Sequence, residues 1–149
     1  MNAAALARVF FDRRHTMPAE PAANAETVAR DVTRTLHGID VAAGRLVTLF
    51  EAFCAAELRP FLEADAEALV ATQIDWLQRA PVAPGAPLRL TGWIEAAGTA
   101  SATFHVQAHD AHEQVCEGRL RFDVGERERA ERAIARKRAA TQRQLFWTG

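Results

Sequence analysis

Glu51 is the residue in this chain whose type and setting point most directly to chemistry. It is the lone carboxylate in Leu46-Val47-Thr48-Leu49-Phe50-Glu51-Ala52-Phe53-Cys54-Ala55-Ala56, a run otherwise almost wholly apolar. A helix that is apolar round most of its circumference is expected to be buried by neighbouring elements, and an ionised carboxylate within one must find a partner or shift its pKa. No Lys or Arg stands four residues to either side to hold it along the helix. Such a group can act as a general base for water or as a nucleophile at a carbonyl, tuned by the partial burial expected of it. The alternative is a carboxylate at the border of the apolar arc that reaches solvent or a basic partner across a sheet.

Other residues can complete such a site. Gly44 and Arg45 fall at the expected helix start, where unpaired amides and the positive end of the helix dipole can stabilise an oxyanion; a plain glycine in a tight loop is the competing reading of Gly44. Asp40 is either a second acid or base or the cap of the helix-entry loop. His37 is placed at the end of a predicted strand, where a histidine can be simply solvated. Gln73 and Asp75 share one face of a later strand and could line a cleft or sit in solvent. His105 and His109 share the polar face of another strand but lack a third ligand at metal-binding spacing, so no metal and no cofactor is expected. The basic cluster Arg136-Lys137-Arg138 with Arg143 could receive coenzyme A phosphates or an acidic carrier protein, or form an ordinary solvated helix face.

These residues must be positioned by elements that the hydrophobic pattern announces. Residues 1–25 read as an N-terminal extension, a short helix-like run from Ala3 to Phe11 followed by a Pro- and Ala-rich connector. Period-two alternation over Glu26 to His37 predicts a half-buried strand, and a loop then leads into the helix, which Pro60 should end near Arg59. Alternation resumes with Val70, Thr72, Ile74 and Trp76 on one predicted face. Next come Leu88, Leu90, Gly92 and Ile94 after a Pro/Gly-rich turn, then Ala102, Phe104, Val106 and Ala108, and finally Cys116, Gly118, Leu120, Phe122 and Val124. From Gly125 the pattern becomes a charged helix with mixed-sign pairs. The expectation is therefore strand, long buried helix and a four-stranded antiparallel meander over 26–124, with an added helix at each end, the last over 125–149.

At 149 residues, 49% hydrophobic and 25% charged, the chain is large enough for one globular core. A formal net charge of −1 argues against a general nucleic-acid partner. Cys54 and Cys116 read as buried free thiols in a reducing compartment. With no bilayer-length apolar run and no secretory pattern around Asp12-Arg13-Arg14, a cytoplasmic location without membrane attachment is expected.

Two stretches resemble the hot-dog fold of acyl-thioester enzymes, in which a curled antiparallel sheet wraps a central helix. Gly44-Arg45-Leu46-Val47-Thr48-Leu49-Phe50-Glu51-Ala52 is similar to the helix start of phenylacetyl-CoA-type and fluoroacetyl-CoA-type thioesterases, where an acidic residue sits two turns inside the helix. Ile74-Asp75-Trp76-Leu77 followed by Pro81-Val82-Ala83-Pro84-Gly85-Ala86-Pro87-Leu88 looks like the strand, proline-glycine turn and strand shared by hot-dog thioesterases and hydroxyacyl dehydratases. The resemblance implies an α+β hot-dog domain that hydrolyses an acyl-CoA or acyl-carrier-protein thioester with Glu51 as base or nucleophile. It also implies a homodimer or dimer of dimers, because a single sheet otherwise leaves an edge open. Ala42-Ala43 stands where thioesterase groups often carry a polar residue, which leaves room for a non-catalytic acyl-binding module. His37, fourteen positions before Glu51, matches a dehydratase spacing, although Leu46 occupies the position of the glycine those enzymes carry at the helix start. A 3-hydroxyacyl-thioester dehydratase using His37 and Glu51 is therefore the alternative enzyme.

Overall fold

The computed structural model describes residues 1–18, 41, 43–63 and 65–147, with side chains through 144. The predicted strand over Glu26–His37, together with His37, Asp40 and Ala42, lies outside the described residues.

Helix α1 (Ala3–Leu6) is a single turn capped by Asn2, whose side-chain oxygen accepts from the amides of Ala4 and Ala5. Strand β1 (Phe10–Thr16) follows directly and pairs with β3 (Pro87–Ala97). This corrects two expectations for the N-terminal segment: the helix stops at Leu6, and residues 10–16 belong to the sheet rather than to an extension before it. Phe11 explains the change, because it is buried at 3% exposure and its ring lies 6.3 Å from both Phe50 and Phe104. Only an extended backbone lets Phe11 face the core while Asp12 and Arg14 face outward.

Helix α2 (Ala43–Leu58) is the central helix, and it gives way to a 3-10 turn at Arg59–Phe61 where Pro60 cannot continue the ladder. Leu46, Phe50, Cys54 and Leu58 recur every fourth residue and are wholly buried. They pack on the inner face of one antiparallel sheet of order β1-β3-β4-β5-β2, formed with β2 (Glu67–Gln78), β4 (Ser101–His109) and β5 (Gln114–Glu126). The apolar rows predicted for β3, β4 and β5 form that inner face.

The expected four-stranded meander is corrected to three strands, β3-β4-β5, because β2 crosses to the far edge and pairs with β5. The connection from β2 to β3 closes one end of the core rather than making a hairpin. Ala80 and Val82 are buried in it, and the amides of Arg79 and Ala80 donate to the carbonyl of Val115. It finishes in a turn over Ala83-Pro84-Gly85-Ala86 in which the Ala86 amide donates to the Ala83 carbonyl. Gly85 takes φ +81° there, the left-handed position that a type II turn with proline before it requires.

A second correction concerns the faces of β2. A bulge between Ala71 and Gln73 reverses the alternation, so Leu69 and Ala71 turn inward before it and Ile74 and Trp76 after it, while Val70 and Thr72 turn outward. Trp76 lies over Gly118 on β5, where a Cβ would come within 2.6 Å of the indole, so only glycine admits that ring.

Helix α3 (Arg127–Trp147) leaves from the end of β5. The Arg127 amide donates to the Ala66 carbonyl, and most of the described α3 side chains are exposed. No described helix is long and apolar enough to cross a membrane.

Candidate active site

Among the described residues, the sheet covers one side of α2 and nothing covers the other. Gly44, Thr48, Glu51 and Ala52 are exposed there, at spacings of four, seven and eight residues from Gly44, so they form one stripe along the helix. Glu51 stands about 10 Å along the axis from Gly44, and helical side chains lean toward the N-terminus, which carries its carboxylate back toward the first turn. The partial burial expected of Glu51 is not found in the single chain. Among the described residues it makes no hydrogen bond or ion pair.

Beside this stripe lies an open hollow of about 530 Å³ lined by Gly44, Arg45, Thr48, Leu49 and Ala52 from the helix and by His15, Met17 and Pro18 from the end of β1. Glu51 borders it through its neighbour Ala52 rather than forming its lining. Gly44 is open, since a Cβ built there meets nothing within 4 Å. The Thr48 hydroxyl donates to the Gly44 carbonyl at 2.9 Å. The first-turn amides have no intrahelical acceptor, so the helix start can hold a carbonyl oxygen that develops negative charge.

The flank nearest Phe53 is fixed by contacts from β1. The Arg13 guanidinium lies 5.0 Å from the Phe53 ring and pairs with Glu57 at 2.6 Å, while the His15 ring packs edge-on to Phe53 at 6.1 Å. These contacts hold His15 half-buried at the rim of the hollow.

Of the sequence-predicted residues, Gly44 and Arg45 line the hollow and Glu51 adjoins it. Gln73 and Asp75 are elsewhere: they lie on the outer face of β2, bonded to each other at 3.1 Å, with Asp75 opposite Arg119. They alternate with Trp76 and Gln78, which face inward. The Trp76 indole donates to Gln78 at 3.0 Å, and the Gln78 amide donates to the Ala80 carbonyl. The basic cluster of α3 is also not part of the hollow: none of its residues lines it, and Lys137 and Arg138 lie beside Ile134, Thr141 and Gln142 along α3 itself.

Sequence reasoning missed His15 and Thr48. Thr48 was legible as the residue one turn after Gly44 on the same stripe. His15 was hidden because the strand that aims it at the helix was read as part of an extension.

Burial pushes the Cys116 thiol up to about 12 and the Cys54 thiol further still, with Glu57 adding to the effect at Cys54. Neither is poised as a nucleophile.

Solved structures share this architecture. Over 87% of this chain and 94% of its own, the fluoroacetyl-CoA thioesterase FlK superposes with a TM-score of 0.73 at 20% identity. A hot-dog-like protein from Thermanaerovibrio acidaminovorans gives 0.72 at 12% identity, covering 87% of this chain and 90% of that one. A thioesterase superfamily member from Thermus thermophilus gives 0.71 at 15% identity, covering 90% and 93%. A search of the curated proteins found no match. At these identities the likeness establishes the hot-dog fold, and the sequence itself supplies the family. The model of the fluoroacetyl-CoA-specific thioesterases matches residues 23–124, more than half of the chain. The chain therefore belongs to the fluoroacetyl-CoA-specific thioesterase family, a group of hot-dog acyl-thioester hydrolases.

Proposed function

We propose that this protein hydrolyses an acyl-CoA thioester at the uncovered stripe of α2, with Glu51 as the catalytic carboxylate and the amides at Gly44 as the oxyanion site. The observation that carries this reading is the placement of a carboxylate without a partner among the described residues and an open helix start on one stripe beside a hollow. In the general-base form, Glu51 takes a proton from water as the water oxygen attacks the thioester carbonyl carbon. The oxyanion collapses, the C–S bond breaks, and the thiolate leaves to be protonated. In the nucleophilic form, the Glu51 oxygen attacks the carbonyl carbon, the C–S bond breaks and the thiolate leaves, and water then hydrolyses the resulting anhydride to restore the Glu51 carboxylate. Thr48 and His15 are the polar groups that border the acyl thioester in this pose. Mutant forms of FlK have been solved with fluoroacetate and CoA and with acetyl-CoA, which supports CoA as the carrier.

Thiol release from acetyl-CoA and fluoroacetyl-CoA tests the reading. Glu51→Gln is nearly isosteric and deletes the titratable group, so turnover should fall roughly a hundredfold to ten-thousandfold. Unchanged turnover would remove Glu51 from the mechanism.

The same reading includes a homodimer or dimer of dimers. Among the described residues strand β2 is a sheet edge, on which Val70, Ile74 and Leu77 are 51%, 41% and 49% exposed, a combination that invites pairing with a second copy. Pairing would also bring new surface toward the uncovered side of α2. Light scattering at micromolar concentration should return at least a dimer, and Val70→Asp with Leu77→Asp, both outward-facing, should shift it toward monomer.

A further inference from the structure

The outer face of the sheet carries a second hollow of about 460 Å³ that the hydrolytic stripe does not use. Its lining includes Arg14, Arg89, His109, Asp110 and His112 over apolar surface from Leu88 and its neighbours. Strand register builds its basic wall. Arg14 on β1 is directly opposite Arg89 on β3, and Arg89 is directly opposite His109 on β4. With strands about 4.8 Å apart, three basic side chains stand in one row roughly 10 Å long on one face.

Two guanidiniums set directly opposite one another repel, so this row exists against a local cost. The nearby carboxylates relieve only part of it. Asp12 is engaged by Arg89, whose Nε and Nη2 donate to it at 3.0 and 2.7 Å, and this pairing holds its carboxyl below the usual range. Asp110, the acid in the lining, accepts at 2.8 Å from the amides of both His112 and Glu113, which shapes the turn that presents His112. Arg14 feels the charge of Asp12 but makes no hydrogen bond or ion pair among the described residues. Its donors therefore face the hollow together with two imidazoles.

The two hollows are neighbours across the sheet. Arg14 lines the outer one, while His15, Met17 and Pro18 line the helix-side one, because consecutive residues of β1 point to opposite faces. Among the described residues β1 is an edge strand of the sheet, so the two hollows are separated by this one strand. CoA has the matching form, with its thioester at one end of a long flexible arm and its diphosphate and 3′-phosphate at the other.

We propose that the outer hollow binds the phosphates of the CoA half of the substrate, with Arg14 as the principal contact and His109 and His112 in support. This rests on the reading that the α2 stripe hydrolyses acyl-CoA. It also favours CoA over a carrier protein, whose prosthetic group lacks the 3′-phosphate and adenosine.

Two measurements test the site separately from the chemistry. In calorimetry with adenosine 3′,5′-bisphosphate, Arg14→Ala should weaken binding about tenfold, the effect of one lost charge-assisted contact, whereas Arg136→Ala on α3, which does not line the hollow, should not. In kinetics, Arg14→Ala should raise KM for acetyl-CoA by a similar factor with kcat unchanged, and should leave S-acetyl-N-acetylcysteamine, which has no phosphates, unaffected. Bisphosphate binding that is absent, indifferent to Arg14→Ala and His112→Ala, or abolished by Arg136→Ala overturns the proposal even if hydrolysis is robust. Bisphosphate binding that depends on Arg14, in a protein that hydrolyses no thioester, sustains the site and overturns the hydrolytic reading.

Discussion

The two sides of α2 are built from one continuous stretch of sequence and do opposite work. On the covered side, Leu46, Phe50, Cys54 and Leu58 are each at 0% exposure, and Phe50 touches the rings of Phe11 and Trp76. On the uncovered side, Gly44, Thr48, Glu51 and Ala52 present one open amide turn, one hydroxyl and one carboxylate to a hollow or to solvent. The first side holds the helix to the sheet through apolar burial, which needs no particular polar group. The second contributes little to that burial and is free to carry chemistry. Adjacent residues such as Phe50 and Glu51 can therefore be assigned to stability and to activity, and the assignments can be tested independently.

The largest effect expected on this contrast is in stability. Phe50→Ala should lose about 3–5 kcal/mol in urea unfolding, as deletion of a fully buried aromatic ring does; a loss below about 1 kcal/mol would mean that the covered side is not the anchor. Glu51→Gln should leave unfolding within about 0.5 kcal/mol of the parent, as exposed substitutions do, while turnover collapses. A comparable loss of stability would show that the two sides are not separable. A third check uses the thiols. Cys54 lies on the covered side and Cys116 on the sheet beneath, both buried and held protonated, so alkylation should be negligible in the folded protein at neutral pH and rapid after unfolding. Fast labelling of Cys54 in the native state would reveal that the helix lifts from the sheet. The smallest effect expected is that of His37→Ala, which should reduce hydrolysis only modestly if the reaction runs through Glu51. Conversion of a 3-hydroxyacyl thioester to its enoyl product, stopped by His37→Ala without unfolding, would instead make the dehydratase the correct enzyme.

Much of this molecule is determined by local sequence. The four-residue repeat of Leu46, Phe50, Cys54 and Leu58 specifies which side of α2 is buried, Pro60 specifies where it ends, and strict alternation specifies the inner faces of β3, β4 and β5. Glu51 and Gly44 were legible as a stripe because both lie on one helix, where spacing alone sets direction. Tertiary structure decided what crosses between elements. The bulge in β2 turned Val70 and Thr72 outward, the long connection over Val82 placed β2 beside β5 instead of β3, and the pairing of β1 with β3 brought His15 to the hollow. The row of Arg14, Arg89 and His109 depends on the register of three strands distant in sequence, so no local pattern announces it. Periodicity along a chain encodes which way a side chain points within its own element; which residues stand opposite it depends on long-range pairing and bulges, which alternation alone does not record.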